Sequence, residues 1–455
     1  MNKKFIYFFI LILSILSLIF SLAFNNNIYE FSADNVKKNI DYLSSSTFNG
    51  RLAGSNENAL VGEIIKNKFK ELSLSPLTSS YTEDYFTTCP VKTDESSFFK
   101  ISSDSGNEFL KYGVDYKEDM INFKNNSFNF SNKDKITVFS TSIEVVCDDG
   151  KLLMYLCKDD NLSFRSSFLC NLPYDLVIAI SSNAYNKILD SLKNNAEIST
   201  YIPFKNEDIK ISNIIGVIEG SDSSLSPLIL TAHFDHLGSD IAGTVYSGSL
   251  DNASGTSFLL ELANTFSSYG KPKRTIIFVA LNAEELGLKG SEFFAQNNYF
   301  NIKNSMVINF DMIGASNTPV SFIQGTSYTN KESSLLTSLT SICDKKNINY
   351  IVNYEDSSDH ASFNNLGIDA LTLCHNDTSN IHTPHDTVDK INTDTIHTVY
   401  SIIDEKIKKD CYSNVTIFLC SKRFVNLNII ILVTILIIGL LNTKPFKNEK
   451  CKIKN

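Results

Sequence analysis

A histidine and an aspartate close a short apolar run in the segment LILTAHFD, residues 228–235. Apolar runs of this length are typical of a buried strand. Because side chains alternate along a strand, His233 and Asp235 point to one face and His236 points to the other. An imidazole beside a carboxylate is typical of a metal ligand whose ring is oriented by that carboxylate. A hydrogen-bonded pair of polar residues at a strand end is the alternative interpretation, and this segment alone does not decide.

Four more clusters of carboxylates or imidazoles follow along the chain, each at the end of a predicted strand or the start of a predicted helix. Taken singly, an aspartate before a helix is usually a cap, and a pair of glutamates is usually exposed to solvent. Taken together, imidazoles and carboxylates suit a pair of divalent metals that activate a water for hydrolysis. The residues are Asp251 in DNASG, Glu284 and Glu285 after TIIFVALN, Asp311 after SMVINF, and His382 and His385 in IHTPHDT.

The elements that must position these residues alternate between strand and helix from residue 211 onward. IIGVI, LILTAHF, TIIFVAL and SMVINF are predicted strands, whereas 254–270 and 283–298 are predicted helices. This alternation predicts an α/β fold in which a mostly parallel, mixed sheet is sandwiched by helices. Ligands in such folds bind outside the carboxyl ends of the strands, which is where the clusters fall.

Residues 85–205 differ in character from the segments on either side. Short β-like runs such as ITVFSTSIEVV and KLLMYLC are separated there by turns rich in Asn, Ser and Asp. Helical patterning dominates residues 28–80 before this segment. We therefore predict one domain made of 25–84 and 206–410, interrupted by an inserted, mostly-β module at 85–205.

Five motifs carry a resemblance to a known family. TAHFDHLG, YSGSLDNASG, NAEELGLKGS, NFDMIG and IHTPHDT, in this order and spacing, resemble the zinc aminopeptidases with two co-catalytic metals, relatives of glutamate carboxypeptidase in peptidase clan MH. The resemblance covers residues 28–80 and 211–405, and the insert is similar to the family's protease-associated module. It implies a zinc-dependent exopeptidase acting on peptides, most typically an aminopeptidase, that holds two Zn²⁺ per chain. The sequence leaves open whether the substrate presents a free amine or a free carboxylate.

The resemblance also implies roles for individual residues. Glu284 would be the general base that takes a proton from the attacking water, and Asp235 would orient His233. Asp359 and His360 in SSDHASF resemble a substrate-side motif, although a polar helix start is an equal alternative for His360. The implied metal ligands are His233, Asp251 (bridging both metals), Glu285, Asp311 and His382.

Two neighbouring positions complete this interpretation. His236 would be structural, because it is predicted to point away from the face that His233 and Asp235 share. Leu250 stands where the family often has an acidic residue, and we expect it to change the surroundings of Asp251 without removing a ligand.

Both ends of the chain carry membrane signals. Residues 1–24 begin with Lys3 and Lys4 and continue as an apolar run, which predicts either a signal peptide or an uncleaved anchor. Residues 425–443 predict a transmembrane helix, and the lysine-rich segment 444–455 predicts a cytosolic tail. The catalytic domain is then expected outside the cell or in the lumen of the endomembrane system.

Composition narrows the remaining possibilities. A net charge of −9 without a basic stripe argues against a nucleic-acid partner, and 43% apolar residues support a sizeable core. Nine cysteines without a CxxC pair do not indicate a thiolate zinc cluster, and their spacing leaves the pairing open, as it does the oligomeric state. Two other functions stay open: a non-catalytic, receptor-like ectodomain of the same fold and a single-zinc transferase that resembles glutaminyl cyclases.

Overall fold

A computed structural model of the chain describes residues 3–316 and 318–442, so that the predicted tail, 444–455, lies outside the described residues. The strands are β1 (Thr82–Lys92), β2 (Phe98–Ser103), β3 (Gly106–Phe109), β4 (Tyr116–Phe123), β5 (Ser127–Phe130), β6 (Lys135–Val138), β7 (Ser142–Cys147), β8 (Gly150–Leu156), β9 (Leu176–Ile180), β10 (Glu197–Tyr201), β11 (Phe204–Ile218), β12 (Leu228–His233), β13 (Ile276–Leu281), β14 (Met306–Phe310), β15 (Val320–Gln324), β16 (Tyr350–Tyr354) and β17 (Asp369–His375). The α-helices are α1 (Lys3–Asn26), α2 (Ala33–Leu43), α3 (Asn56–Glu71), α4 (Ser182–Lys193), α5 (Gly255–Ser267), α6 (Lys289–Asn297), α7 (Tyr299–Ile302), α8 (Ser334–Lys346), α9 (His360–Asn364), α10 (Thr393–Cys411), α11 (Asn414–Leu419) and α12 (Lys422–Asn442).

An eight-stranded mixed sheet forms the centre of the fold, in the order β1-β11-β13-β12-β14-β17-β15-β16. The four middle strands β13, β12, β14 and β17 run parallel to one another. The pairs β1–β11, β11–β13 and β15–β17 are antiparallel. The predicted α/β fold with a mixed sheet is therefore confirmed.

Alternate residues of the middle strands bury against helices on opposite faces of this sheet. On β12, Leu228 and Leu230 contact the core formed with α2, α5, α8 and α10, whereas Ile229 contacts the core formed with α6 and α9. Strands that are buried on both faces have continuous apolar sequences, and these middle strands have such sequences.

The chain between β1 and β11 builds two further sheets. One has four strands in the order β3-β2-β10-β5, and the other has five in the order β4-β9-β8-β7-β6. Both share a core with α4, through residues such as Phe99, Ile178 and Ile188. β1 and β11 themselves belong to the central sheet, so these strands lead the chain into and out of the inserted module.

The helices α1 and α12 lie side by side in antiparallel orientation. Ser17 donates a hydrogen bond to Asn428 at 2.6 Å, and the Tyr7 hydroxyl donates to the carbonyl of Ile435. Both helices are long and apolar enough to cross a membrane, by length and composition. The eight cysteines within the described residues are all unpaired thiols.

Candidate metal centre

The carboxyl ends of the parallel strands bring the predicted metal ligands together. His233 is the last residue of β12 and pairs in register with Leu281, the last residue of β13. Asp311 directly follows β14, whose last residue, Phe310, pairs with Leu373 of β17. Because all four strands run in the same direction, the loops that leave them start at one edge of the sheet.

Asp251 reaches the same edge from the irregular turn that precedes α5. Its backbone amide and that of Leu250 donate to the two carboxylate oxygens of Asp386, at 3.0 and 2.8 Å. Gly248 opens the turn with φ +56°, and a Cβ there would lie 2.4 Å from the ring of His236. A side chain at position 248 is therefore excluded by both its backbone conformation and its neighbour.

Arg51, from the segment STFNGRLAG at residues 46–54, connects this turn to the end of β12. Its buried guanidinium donates to the carbonyl oxygens of Phe234 at 3.0 Å, Ser247 at 2.8 Å and Gly248 at 2.9 Å. Burial lowers the pKa of Arg51 to about 10, so the side chain stays charged at neutral pH. One cation thus joins the segments that carry His233 and Asp251.

Asp251 divides its two carboxylate oxygens between two groups of donors. Oδ1 lies 3.4 Å from His233 Nε2, which itself lies 3.5 Å from Asp311 Oδ1. Oδ2 lies 3.2 Å from His382 Nε2, which lies 3.3 Å from Glu285 Oε1. The structure therefore brings all five predicted ligands into one cluster.

These spacings and donor types fit zinc. Zinc bonds of 2.0–2.1 Å in a tetrahedral site separate neighbouring ligand atoms by about 3.3 Å. Moreover, His233 Nε2 and Asp311 Oδ1 are buried and make no hydrogen bond among the described residues. Buried polar atoms are nearly always paired, so atoms of this kind aimed at one point are what a metal site requires.

Charge pairing within the cluster controls its protonation. Burial alone would raise the pKa of Asp251, but the adjacent His233 and His382 hold it well below its usual value. Burial would lower the pKa of His382, yet the carboxylates of Glu285 and Asp251 raise it well above its usual range. The cluster therefore pairs positively charged imidazoles with negatively charged carboxylates. A bound cation would take the place of the imidazole charges.

Glu284 and Glu285 lie in a turn, whereas we predicted a helix beginning at residue 283. The helix α6 begins only at Lys289, because the carboxylate of Asp235 binds the turn. Its two oxygens accept hydrogen bonds from the backbone amides of Glu284 and Glu285, each at 3.1 Å. The same carboxylate lies 3.6 Å from His233 Nδ1, which is beyond hydrogen-bonding distance.

The turn gives the two glutamates different surroundings. Glu285 is buried among the donors, whereas Glu284 lines the cleft. Enclosure raises the pKa of Glu284 well above its usual value, and the carboxylates of Glu285 and Asp359 raise it further against the opposing effect of His233. A raised pKa suits a carboxylate that accepts and returns a proton near neutral pH.

His236 and Asp386 are site residues that the sequence analysis missed. His236 is fully buried, and its Nδ1 lies 3.0 Å from Glu285 Oε1. Strand alternation pointed it away from the site, but β12 ends at His233 and the rule does not apply beyond it. Asp386 was visible inside IHTPHDT as a carboxylate next to a histidine, and it orients the backbone of Asp251.

Three other residues of the motifs contribute no atom to the two donor groups around Asp251. His385 is exposed, so that only His382 of IHTPHDT enters the cluster. Asp359 is buried, and burial raises its pKa to about 7. His360 is buried between the hydroxyl of Thr372 and the carbonyl of Glu355, both at 2.8 Å. The cleft wall at this point is formed instead by Ser357 and Ser358.

A cleft of about 220 Å³ opens onto the cluster. Among the described residues that line it there is no lysine or arginine. Four of its lining side chains are apolar and lie on one side, namely Met312, Ile323, Cys374 and Ile381.

Residues 213–406 match the model of peptidase family M28. This part of the chain is similar to that family. The chain is similar to a vacuolar membrane protease from Clavispora lusitaniae, with 36% identity over 117 residues that cover 26% of this chain and 11% of the relative. It is also similar to aminopeptidase YwaD from Bacillus subtilis, with 28% identity over 212 residues that cover 44% of this chain and 45% of the relative. The chain therefore spans less than half the length of either relative.

Solved structures show the same fold beyond the M28 region. The aminopeptidase from Aneurinibacillus sp. strain AM-1 superposes with a TM-score of 0.57 and 18% identity, covering 84% of this chain and 95% of that structure. The zinc aminopeptidase from Bacillus subtilis superposes with the same TM-score, 0.57, and covers 96% of that structure.

Proposed function

We propose that the chain is a two-zinc aminopeptidase that removes N-terminal residues from peptides. The observation that carries the proposal is the bridging position of Asp251, whose two oxygens face two separate donor groups. A carboxylate shared in this way supports two metals, whereas a transferase resembling glutaminyl cyclases would use one. The complete set of five donors supports catalysis rather than a receptor-like role.

Glu284 is the residue we assign to proton transfer. When bound, a pair of zinc ions lowers the pKa of a water and polarises the carbonyl to be attacked. Glu284 lines the cleft beside Asp251 and Asp311, where its carboxylate takes a proton from the attacking water and delivers it to the leaving amine. His233, Glu285, Asp311 and His382 would hold the metals, together with the shared Asp251.

The charge of the cleft supports a substrate with a free amino terminus. A carboxypeptidase needs a cationic group to bind the terminal carboxylate, and no lysine or arginine is found among the described residues of the cleft wall. The carboxylate of Glu355 lines the cleft and suits an ammonium group. The apolar side formed by Met312, Ile323 and Ile381 suits an apolar side chain on the residue removed.

Membrane anchoring completes the proposal. The similarity to a vacuolar membrane protease and the two apolar helices support membrane association. We place the peptidase body on the non-cytosolic side, with α12 as its anchor and with α1 as either a signal peptide or a second anchor.

Hydrolysis of matched substrates tests this function. Purified protein is assayed on leucine p-nitroanilide, on its N-acetylated form and on an N-blocked dipeptide with a free carboxylate, while bound zinc is measured. We expect two zinc ions per chain and cleavage of the first substrate only. Cleavage of the N-blocked dipeptide alone would contradict the aminopeptidase assignment, and bound zinc without hydrolysis of any of the three would contradict this peptidase function.

A further inference from the structure

Residues 163–168 of the inserted module, which we call the strap, cross to the metal centre and bind two of its donors through the backbone. The amide of Arg165 donates to the carbonyl of His382 at 3.0 Å, and the amide of Phe168 donates to the carbonyl of Glu285 at 2.7 Å. The ring of Phe164 also stacks on the ring of His382, with centroids 5.8 Å apart. Both donors belong to the same half of the cluster.

Ser167 is the strap residue whose side chain forms a hydrogen bond with a donor carboxylate. Its hydroxyl donates to Glu285 Oε2 at 2.6 Å, while Oε1 faces His236 Nδ1 at 3.0 Å and His382 Nε2 at 3.3 Å. Hydrogen bonds from a hydroxyl to a carboxylate at this distance are among the strong ones. The bond to Oε2 fixes the carboxylate so that Oε1 stays directed into the donor group.

Buried charges fix the strap in place. Arg165 is fully buried, and its guanidinium donates to the carbonyl of Leu237 at 2.7 Å and lies 3.3 Å from Glu118 of β4. The amide and hydroxyl of Ser166 donate to the carboxylate of Asp119, at 2.8 and 2.9 Å. The strap is therefore held from both sides, by the inserted module and by the loop after β12.

We infer that the inserted module completes the metal centre, with Ser167 as a positioning residue for the metal ligand Glu285. The inference rests on the proposed two-metal site. Residues that orient a metal ligand typically contribute 10–100-fold to metal affinity. Because the hydrogen bond of Ser167 goes to Glu285, its loss weakens binding of the metal that Glu285 and His382 would hold and spares the one that His233 and Asp311 would hold.

This role is tested in the full-length protein by measuring how much zinc is released as the concentration of a chelator is raised. The measurement does not depend on enzymatic activity. In Ser167→Ala we expect one of the two zinc ions to leave at a chelator concentration about 10–100-fold lower than in the wild type. Ser167→Thr keeps the hydroxyl and restores retention. Ser166→Ala is the matched control, since it removes a strap hydrogen bond to Asp119 but none to a donor, and it leaves both affinities unchanged.

Several results would overturn the inference. If Ser167→Ala retains two zinc ions as tightly as the wild type, the role of Ser167 is wrong. The proposed function is not affected by that result. Equal weakening in Ser166→Ala and Ser167→Ala would also overturn the inference, because the effect would then come from general loosening of the strap. A wild-type chain that binds no zinc would overturn this inference and the proposed function together.

Discussion

Asp235 accepts a hydrogen bond from the backbone amide of Glu284 at 3.1 Å, and its second oxygen accepts one from the next amide along the chain. The carboxylate is fully buried and binds a turn that connects β13 to α6. This contact directs Glu285 to the other metal ligands and Glu284 to the cleft. Asp235 therefore acts on the proposed general base through the backbone rather than mainly through His233.

Replacing Asp235 by asparagine tests that role. An amide has only one oxygen, so in Asp235→Asn one of the two backbone amides of the turn loses its acceptor. We expect kcat to fall by about 10–100-fold, in line with the loss of one hydrogen bond to a charged group. Asp208→Asn, at an exposed carboxylate that contacts Thr88, is the matched control. Equal kcat in Asp235→Asn and the wild type would contradict this role.

The bridging position of Asp251 predicts a loss of both metals together. In Asp251→Ala neither half of the cluster is complete, and the two cations also lose the shared charge that offsets their repulsion. His382→Ala should empty mainly the half that contains Glu285. The measurement is the zinc content of the purified variants. A normal zinc content in Asp251→Ala would show that another residue is the bridge.

His375 predicts a pH dependence of stability that is independent of the metals. Burial lowers the pKa of His375 to about 4, from an ordinary value of 6.5. Between these two values the unfolded chain binds more protons than the folded one, so the free energy of unfolding rises with pH across this window and is flat above it. The difference amounts to about 3 kcal/mol at most.

The variant His375→Asn isolates this contribution. Its side-chain oxygen can still accept the hydrogen bond that Gly314 donates to His375 Nδ1, but it does not titrate. Urea unfolding of both proteins in a chelator, at pH 4.5 and pH 7, should give a smaller pH difference for the variant. An equal difference in the two proteins would mean that His375 is not the titrating group.

The antiparallel pairing of α1 and α12 predicts that the start of α1 and the end of α12 lie on one side of the membrane. The contacts of Ser17 with Asn428 and of Tyr7 with Ile435 set this arrangement. A tag fused to the C-terminus should be cut by protease only after the membrane is permeabilised. Cleavage of the tag in intact cells, with the peptidase body shielded, would contradict the proposed orientation.

Much of the fold and the donor set could be predicted because both follow from local patterns. Apolar runs marked the parallel strands, and His233, Asp311 and Glu285 follow such runs at ends that the topology brings together. The turn at Glu284 was predicted as a helix because its binding by Asp235 is a contact between distant segments. Ser167 left no signal, because no spacing rule connects a residue of the inserted module to Glu285, 118 positions later.

The two adjacent glutamates give the most direct test of the mechanism. Glu284→Gln keeps the size of the side chain but cannot accept a proton, so turnover of leucine p-nitroanilide should fall by about 10²–10⁴-fold while two zinc ions stay bound. Glu285→Gln, the matched control in the same turn, should instead lose zinc and regain activity when zinc is added. Turnover and zinc content are measured together on both variants. A large loss of turnover with full zinc in Glu284→Gln alone is the result we predict, and near-normal turnover of that variant with both metals bound would contradict the mechanism.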